Sequence, residues 1–128
     1  MFEVIAGTLI ASIAVLGLAY SFGVGRGLID RYEVARLALG RAELLADSLG
    51  SRNPTTLTDG SEPFWIDEVP AGTSTWVVTP VDDPIDGTIN SVPPDPNPVD
   101  MKRIHVEVSW RIGPFPDSLG LDRMVLAR

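Results

Sequence analysis

Twenty-one consecutive residues, from Val4 to Val24, carry no formal charge and offer no polar face. Wound as an α-helix at about 1.5 Å per residue they span about 32 Å, which matches a bilayer hydrocarbon core of about 30 Å. A cleavable signal peptide has a basic start and an apolar stretch of about 7 to 15 residues; here Glu3 stands in place of the basic start and the stretch is longer. The pattern therefore predicts a membrane helix. Beyond it the apolar positions become periodic. Leu28, Tyr32, Ala35, Leu39, Ala42, Ala46 and Leu49 alternate steps of four and three, opposite Asp30, Glu33, Arg36, Glu43 and Asp47. That is one amphipathic stripe on a helix contiguous with the first. Gly50, followed soon by Pro54, predicts its end. Read as one helix from Glu3 to Leu49, the segment would be about 70 Å long.

Two glycine patterns qualify this helix. Gly23, Gly25 and Gly27 sit where apolar gives way to amphipathic, and each weakens a helix by up to about 1 kcal/mol relative to alanine. A kink or a locally unwound stretch is expected there. Gly17, Ser21 and Gly25 form a small-residue ladder at fourfold spacing, which suits close helix packing in an apolar medium.

The remainder alternates as strands do. Ile104, Val106, Val108, Trp110 and Ile112 fall on one face, with Arg103, His105, Glu107, Ser109 and Arg111 on the other. Thr75 to Thr79 is a shorter β-branched and aromatic run closed by Pro80, and Leu121 to Ala127 can pair after a turn through Gly113 to Asp117. These runs predict a three-stranded antiparallel meander, which cannot close a core alone and needs the stripe from Leu28 to Leu49 as cover. The expected class is α+β: a long N-terminal helix, transmembrane then amphipathic, packed on a small antiparallel sheet. Residues 1–27 form the membrane half of the helix, 28–50 the half that covers the sheet, and 51–128 the head, with a loop rich in proline and aspartate at 82–100.

Charge sharpens the division. All 11 prolines follow Asn53, and the five basic residues up to Arg52 balance five acidic ones, so the whole net charge of −7 belongs to the head. An acidic chain without a Lys/Arg cluster gives nucleic acid no surface. With no cysteine and one histidine, zinc sites, thiolate nucleophiles and disulfides are excluded. His105, on the polar strand face, is expected to be exposed and without a catalytic partner. Asp82, Asp83 and Asp86 have oxygen ligands suited to calcium, but not the ligand spacing of an EF-hand loop, and read as a solvated acidic turn. Asp67 and Glu68 lack any sign of the apolar pocket that would separate two carboxyl pKa values. No enzyme, cofactor or metal is expected.

Glu3 stands apart, because a carboxylate at the edge of a membrane run costs free energy unless it has a partner. Phe2-Glu3-Val4-Ile5-Ala6, the apolar helix behind it, and then Arg36-Leu37-Ala38 and Arg41 to Ala46 resemble the N-terminal half of type IV pilins and of type II secretion pseudopilins. Ile104 to Trp110, leading to a last strand, is similar to the end of the small V-type minor pilins and I-type minor pseudopilins. The resemblance implies a subunit held in the bacterial inner membrane with its head in the periplasm, later drawn into a helical filament of packed N-terminal helices.

Glu3 matches the family glutamate that meets the terminal amine of a neighbouring subunit, and Phe2 resembles the phenylalanine that often begins the mature chain. Gly23 to Gly27 fall where family helices loosen. The implied partners are other pilins or pseudopilins of the same filament, membrane lipid and an assembly platform. If a leader is encoded ahead of Met1, a prepilin peptidase joins them. The expected function is thus a structural minor subunit of a type IV pilus or a secretion pseudopilus, near its tip or initiation complex. The alternative is a single-pass anchored binding module with an acidic extracytoplasmic head.

Overall fold

The computed structural model describes residues 1–85, 87, 90–95 and 99–127. One helix, α1 (Phe2–Gly50), precedes four strands: β1 (Gly60–Ile66), β2 (Val69–Val81), β3 (Met101–Ile112) and β4 (Phe115–Leu126). With no proline before Pro54, nothing in the first fifty residues forbids helix. The helix ends at Gly50, as the glycine and the following proline imply. Two compact units share the chain, Met1–Val34 and Ala35–Arg128. The first is helix alone. The second holds the last four turns of α1 and the whole sheet.

The sheet has four strands rather than three, ordered β1-β2-β3-β4 and antiparallel throughout. β1 escapes the strand pattern because Pro63 interrupts it. A proline is tolerated there since β1 is an edge strand with one side of its backbone unpaired. β2 likewise runs past Pro80 to Val81, because β1 pairs only as far as Trp76 and leaves that side of β2 open. Where the β1 backbone stops, the Asp59 carboxylate takes over and accepts the amide of Val78 at 2.7 Å. β4 starts at Phe115, six residues before the expected Leu121, because the turn needs only two residues.

Both tight turns show left-handed backbone. Asp67 (φ 47°) and Glu68 (φ 64°) link β1 to β2 with positive φ at both central positions, the requirement of a type I′ turn. Gly113 (φ 60°) and Pro114 link β3 to β4, the ring of proline supplying the second, negative φ. One glycine is demanded by close packing. A Cβ at Gly72 would lie 1.9 Å from the carbonyl oxygen of Ser109, where β2 meets β3. Gly72→Ala is therefore expected to force the two strands apart and cost about 1–3 kcal/mol, read as a lower urea midpoint for the head.

The core lies between α1 and one face of the sheet. Ile104, Val106, Val108 and Trp110 of β3 are buried, with Phe64 of β1 and Ser74 of β2 beside them. From α1 come Ala38, Ala42, Leu45, Ala46 and Leu49. This seam corrects the expected stripe. Leu28 and Tyr32 are exposed, Leu39 is only partly covered, and Ala38 and Leu45 join instead. Three alanines at fourfold spacing bring the helix backbone close to the large β3 side chains, and close approach selects small residues over Leu39.

Ion pairs fasten the helix to both sheet edges: Arg41 to Glu62 on β1, and Asp47 to Arg123 on β4. All four side chains are a third exposed or more, so each pair is worth about 0.2–1 kcal/mol and orients the helix rather than holding it.

Candidate assembly site

Glu3 lies in the first turn of α1, where its charge is favoured by the amide dipoles of the helix terminus. Met1 and Phe2 beside it are exposed, and the amide of Ile5 closes the turn on the carbonyl of Met1 at 3.3 Å. Behind them Val4, Ile5, Leu9, Ile10, Ile13, Val15, Leu16, Leu18, Tyr20 and Phe22 are each exposed. Their positions sample every direction around the helix, so no single partner surface could cover them. The helix is long and apolar enough to cross a membrane, and none of its most apolar 18-residue window is buried.

The small-residue positions behave in two ways. Gly17, Ser21 and Gly25 share one face of the helix, and the space around Gly17 and Gly25 is open. That face can accept a second helix at short range. Gly23, Gly25 and Gly27, expected to kink or unwind the backbone, instead lie within unbroken helix. Their cost of up to about 1 kcal/mol each is met by intact helical hydrogen bonds, with no competing partner to open them.

On the sheet's open face the Nδ1 of His105 lies 2.7 Å from a carboxylate oxygen of Asp122, one strand across. The expected lone imidazole thus has an acidic neighbour. Both side chains are about half exposed.

The acidic loop is rearranged relative to expectation. Asp82 gathers with Asp95 and Asp100, their carboxylate oxygens within 4.8 Å of one another. Asp83 turns away to accept the amide of Ile85, while its own amide donates to Asp100 at 3.0 Å. Asp86 lies outside the described residues. The strand register would have revealed half of this grouping, since Val81 faces Met101 and the residues just beyond them must be neighbours. Oxygen donors of this kind suit a hard cation, and among the described residues this is the one group of acidic side chains that converges.

Compared with known proteins, the chain matches no family model, no curated protein and no solved structure.

Proposed function

We propose that the chain is a structural filament subunit of the minor pilin or minor pseudopilin type. It is held in the bacterial inner membrane by α1, with its head in the periplasm, and assembles through helix packing and a Glu3 contact to the terminal amine of a neighbour. The observation that carries this reading is the nakedness of the first unit. Ten large apolar side chains are exposed along Val4 to Phe22. Leaving such a side chain in water rather than burying it costs about 1.5–3 kcal/mol, so together they forfeit more than the whole stability of an ordinary domain, about 5–15 kcal/mol. An apolar surrounding on all sides is required, and lipid followed by a bundle of like helices supplies it.

A pilin-like arrangement of long apolar helix and antiparallel sheet supports the choice of class. Glu3 supports the mechanism, because a carboxylate beside a membrane run is relieved by a positive partner, and the terminal amine of a neighbouring chain is chemically matched to it. Glu3→Ala and Glu3→Leu are expected to leave the head folded and the helix inserted, while lowering filament formation, secretion or twitching at least tenfold. Normal filaments in both variants would remove the Glu3 contact, whereas no filament from the natural sequence either would point to an anchored binding module acting alone.

A further inference from the structure

The two edges of the sheet are finished differently. Beyond β4 the amide of Ala127 reaches the carbonyl of Asp100 at 2.8 Å, and every second pair follows from it, so Val125, Arg123, Leu121 and Leu119 bond inward to β3. Gly120, Asp122, Met124 and Leu126 therefore turn their amides and carbonyls outward, and among the described residues nothing in the chain meets them. Elsewhere the edges are guarded. Pro63 on β1 and Pro80 on β2 have no amide to offer, the pairing of β1 shifts register after Phe64, and the Asp59 carboxylate takes the amide of Val78. At the start of β4, Pro116 again lacks an amide and that of Ser118 donates to the Asp117 carboxylate at 3.0 Å. The unguarded run is Gly120 to Leu126.

The side chains of this run are also unfinished. No residue of β4 is buried: Leu119, Leu121 and Val125 on the helix side are partly covered, and Met124 and Leu126 on the other face are 48% and 69% exposed. A trough beside the run is lined by Glu43, Ala46 and Asp47 of α1 and by Leu121, Asp122 and Arg123 of β4. Asp47 engages Arg123, whereas Glu43 makes no ion pair among the described residues, so the trough keeps one uncompensated carboxylate. We propose that the Gly120–Leu126 edge of β4 takes a fifth, antiparallel strand from a different protein, an extended segment whose basic side chain lies opposite Leu121 and meets Glu43. Strand addition of this kind draws affinity from the backbone and selectivity from alternate side chains.

The edges of a second copy are poorly matched to this one. Antiparallel pairing of the open run with itself at full overlap sets Arg123 against Arg123. The neighbouring registers idle Leu126 or Gly120, and the first of them also sets Asp122 against Asp122. Like charges directly opposite destabilise a sheet. The outer edge of β1 offers Pro63 and a shifted register instead of a run of amides. A foreign strand has neither fault. Its backbone bonds opposite Gly120, Asp122, Met124 and Leu126, and its side chains opposite Met124 and Leu126 fall on the open face, where apolar groups suit them. Those opposite Leu121 and Arg123 fall on the helix side, where a single positive charge answers Glu43.

The probe is the capped peptide acetyl-Val-Thr-Val-Thr-Thr-Lys-Thr-amide, whose residues run opposite Leu126 back to Gly120, added to the full-length chain in a neutral detergent. Amide hydrogen exchange followed by NMR should slow at least tenfold at Gly120, Asp122, Met124 and Leu126 when the peptide is present. Met124→Pro removes an amide with no partner inside the chain, so it should leave the urea midpoint of the head in place and weaken peptide binding at least tenfold. Replacing the lysine of the peptide by glutamate should weaken binding about tenfold, and Glu43→Lys should restore it. Exchange at the four amides unchanged by the peptide, or binding indifferent to both Met124→Pro and the charge swap, would overturn the proposal. So would a dimer of the natural chain that protects the same amides without peptide, since the occupant would then be a second copy. Should Met124→Pro lower the midpoint, the exchange measurement on the natural chain decides by itself.

Discussion

Ile104→Ala is expected to remove about 2–5 kcal/mol from the stability of the head. Ile104 is fully buried in β3, opposite Val78 on one side and Arg123 on the other, on the face that shares the core with the alanine seam of α1. The helix approaches through Ala38, Ala42 and Ala46, which have no side-chain length with which to fill a void, so the site cannot relax by repacking. A loss near the upper end of the range follows, because the cavity term adds to the lost transfer energy. Urea unfolding of the full-length chain in detergent, followed by the fluorescence of buried Trp110, measures it. Arg111→Ala, on the open face of the same strand, should shift the midpoint within about 0.5 kcal/mol. Equal effects at both positions would mean that β3 does not separate a core face from a solvent face.

The double substitution Ile13→Arg with Leu16→Arg should block membrane insertion. Both residues lie near the middle of the uncharged run and are more than half exposed. On insertion scales each arginine at a helix centre costs about 2.5–3.5 kcal/mol, so the pair sets about 5–7 kcal/mol against the transfer of the remaining side chains. Flotation of the full-length chain with vesicles reads the outcome: the natural sequence floats and resists carbonate extraction, while the double variant pellets or stays at the bottom of the gradient. The head should remain folded, since Ala35–Arg128 contains all of the core. Continued flotation of the double variant would show that residues 4–24 are not what holds the chain in lipid.

Much of this organisation is written locally in the chain. The uncharged run sets the first unit, Gly50 and Pro54 set the helix end, and strict alternation from Arg103 to Ile112 sets β3 and its two faces. Less legible were features decided by neighbours. β1 contains Pro63 and Gly60 and is not one of the three expected strand runs; it is a strand because the Asp67–Glu68 turn folds it onto β2 and Trp76 lies across Gly60. The buried seam of α1 is shifted by one residue in places because sheet proximity rewards alanine over leucine, a preference that periodicity alone does not express.

At the sites, Glu3 was legible as a charge out of place, and Gly17, Ser21 and Gly25 as a spacing. The gathering of Asp82, Asp95 and Asp100 was not, since it depends on how β2 and β3 close the loop between them. Trp65 is similar: the pairing of β1 with β2 shifts register between buried Phe64 and exposed Trp65, and irregular pairing leaves no trace in hydropathy.

The account stands on the apolar helix requiring a non-aqueous surrounding made first of lipid and then of its own kind. Analytical ultracentrifugation of the purified full-length chain, with and without detergent, tests this most directly. The predicted result is a detergent-bound species that sediments as large assemblies or precipitates once detergent is withdrawn. A monodisperse monomer of 13.8 kDa in detergent-free buffer would contradict it.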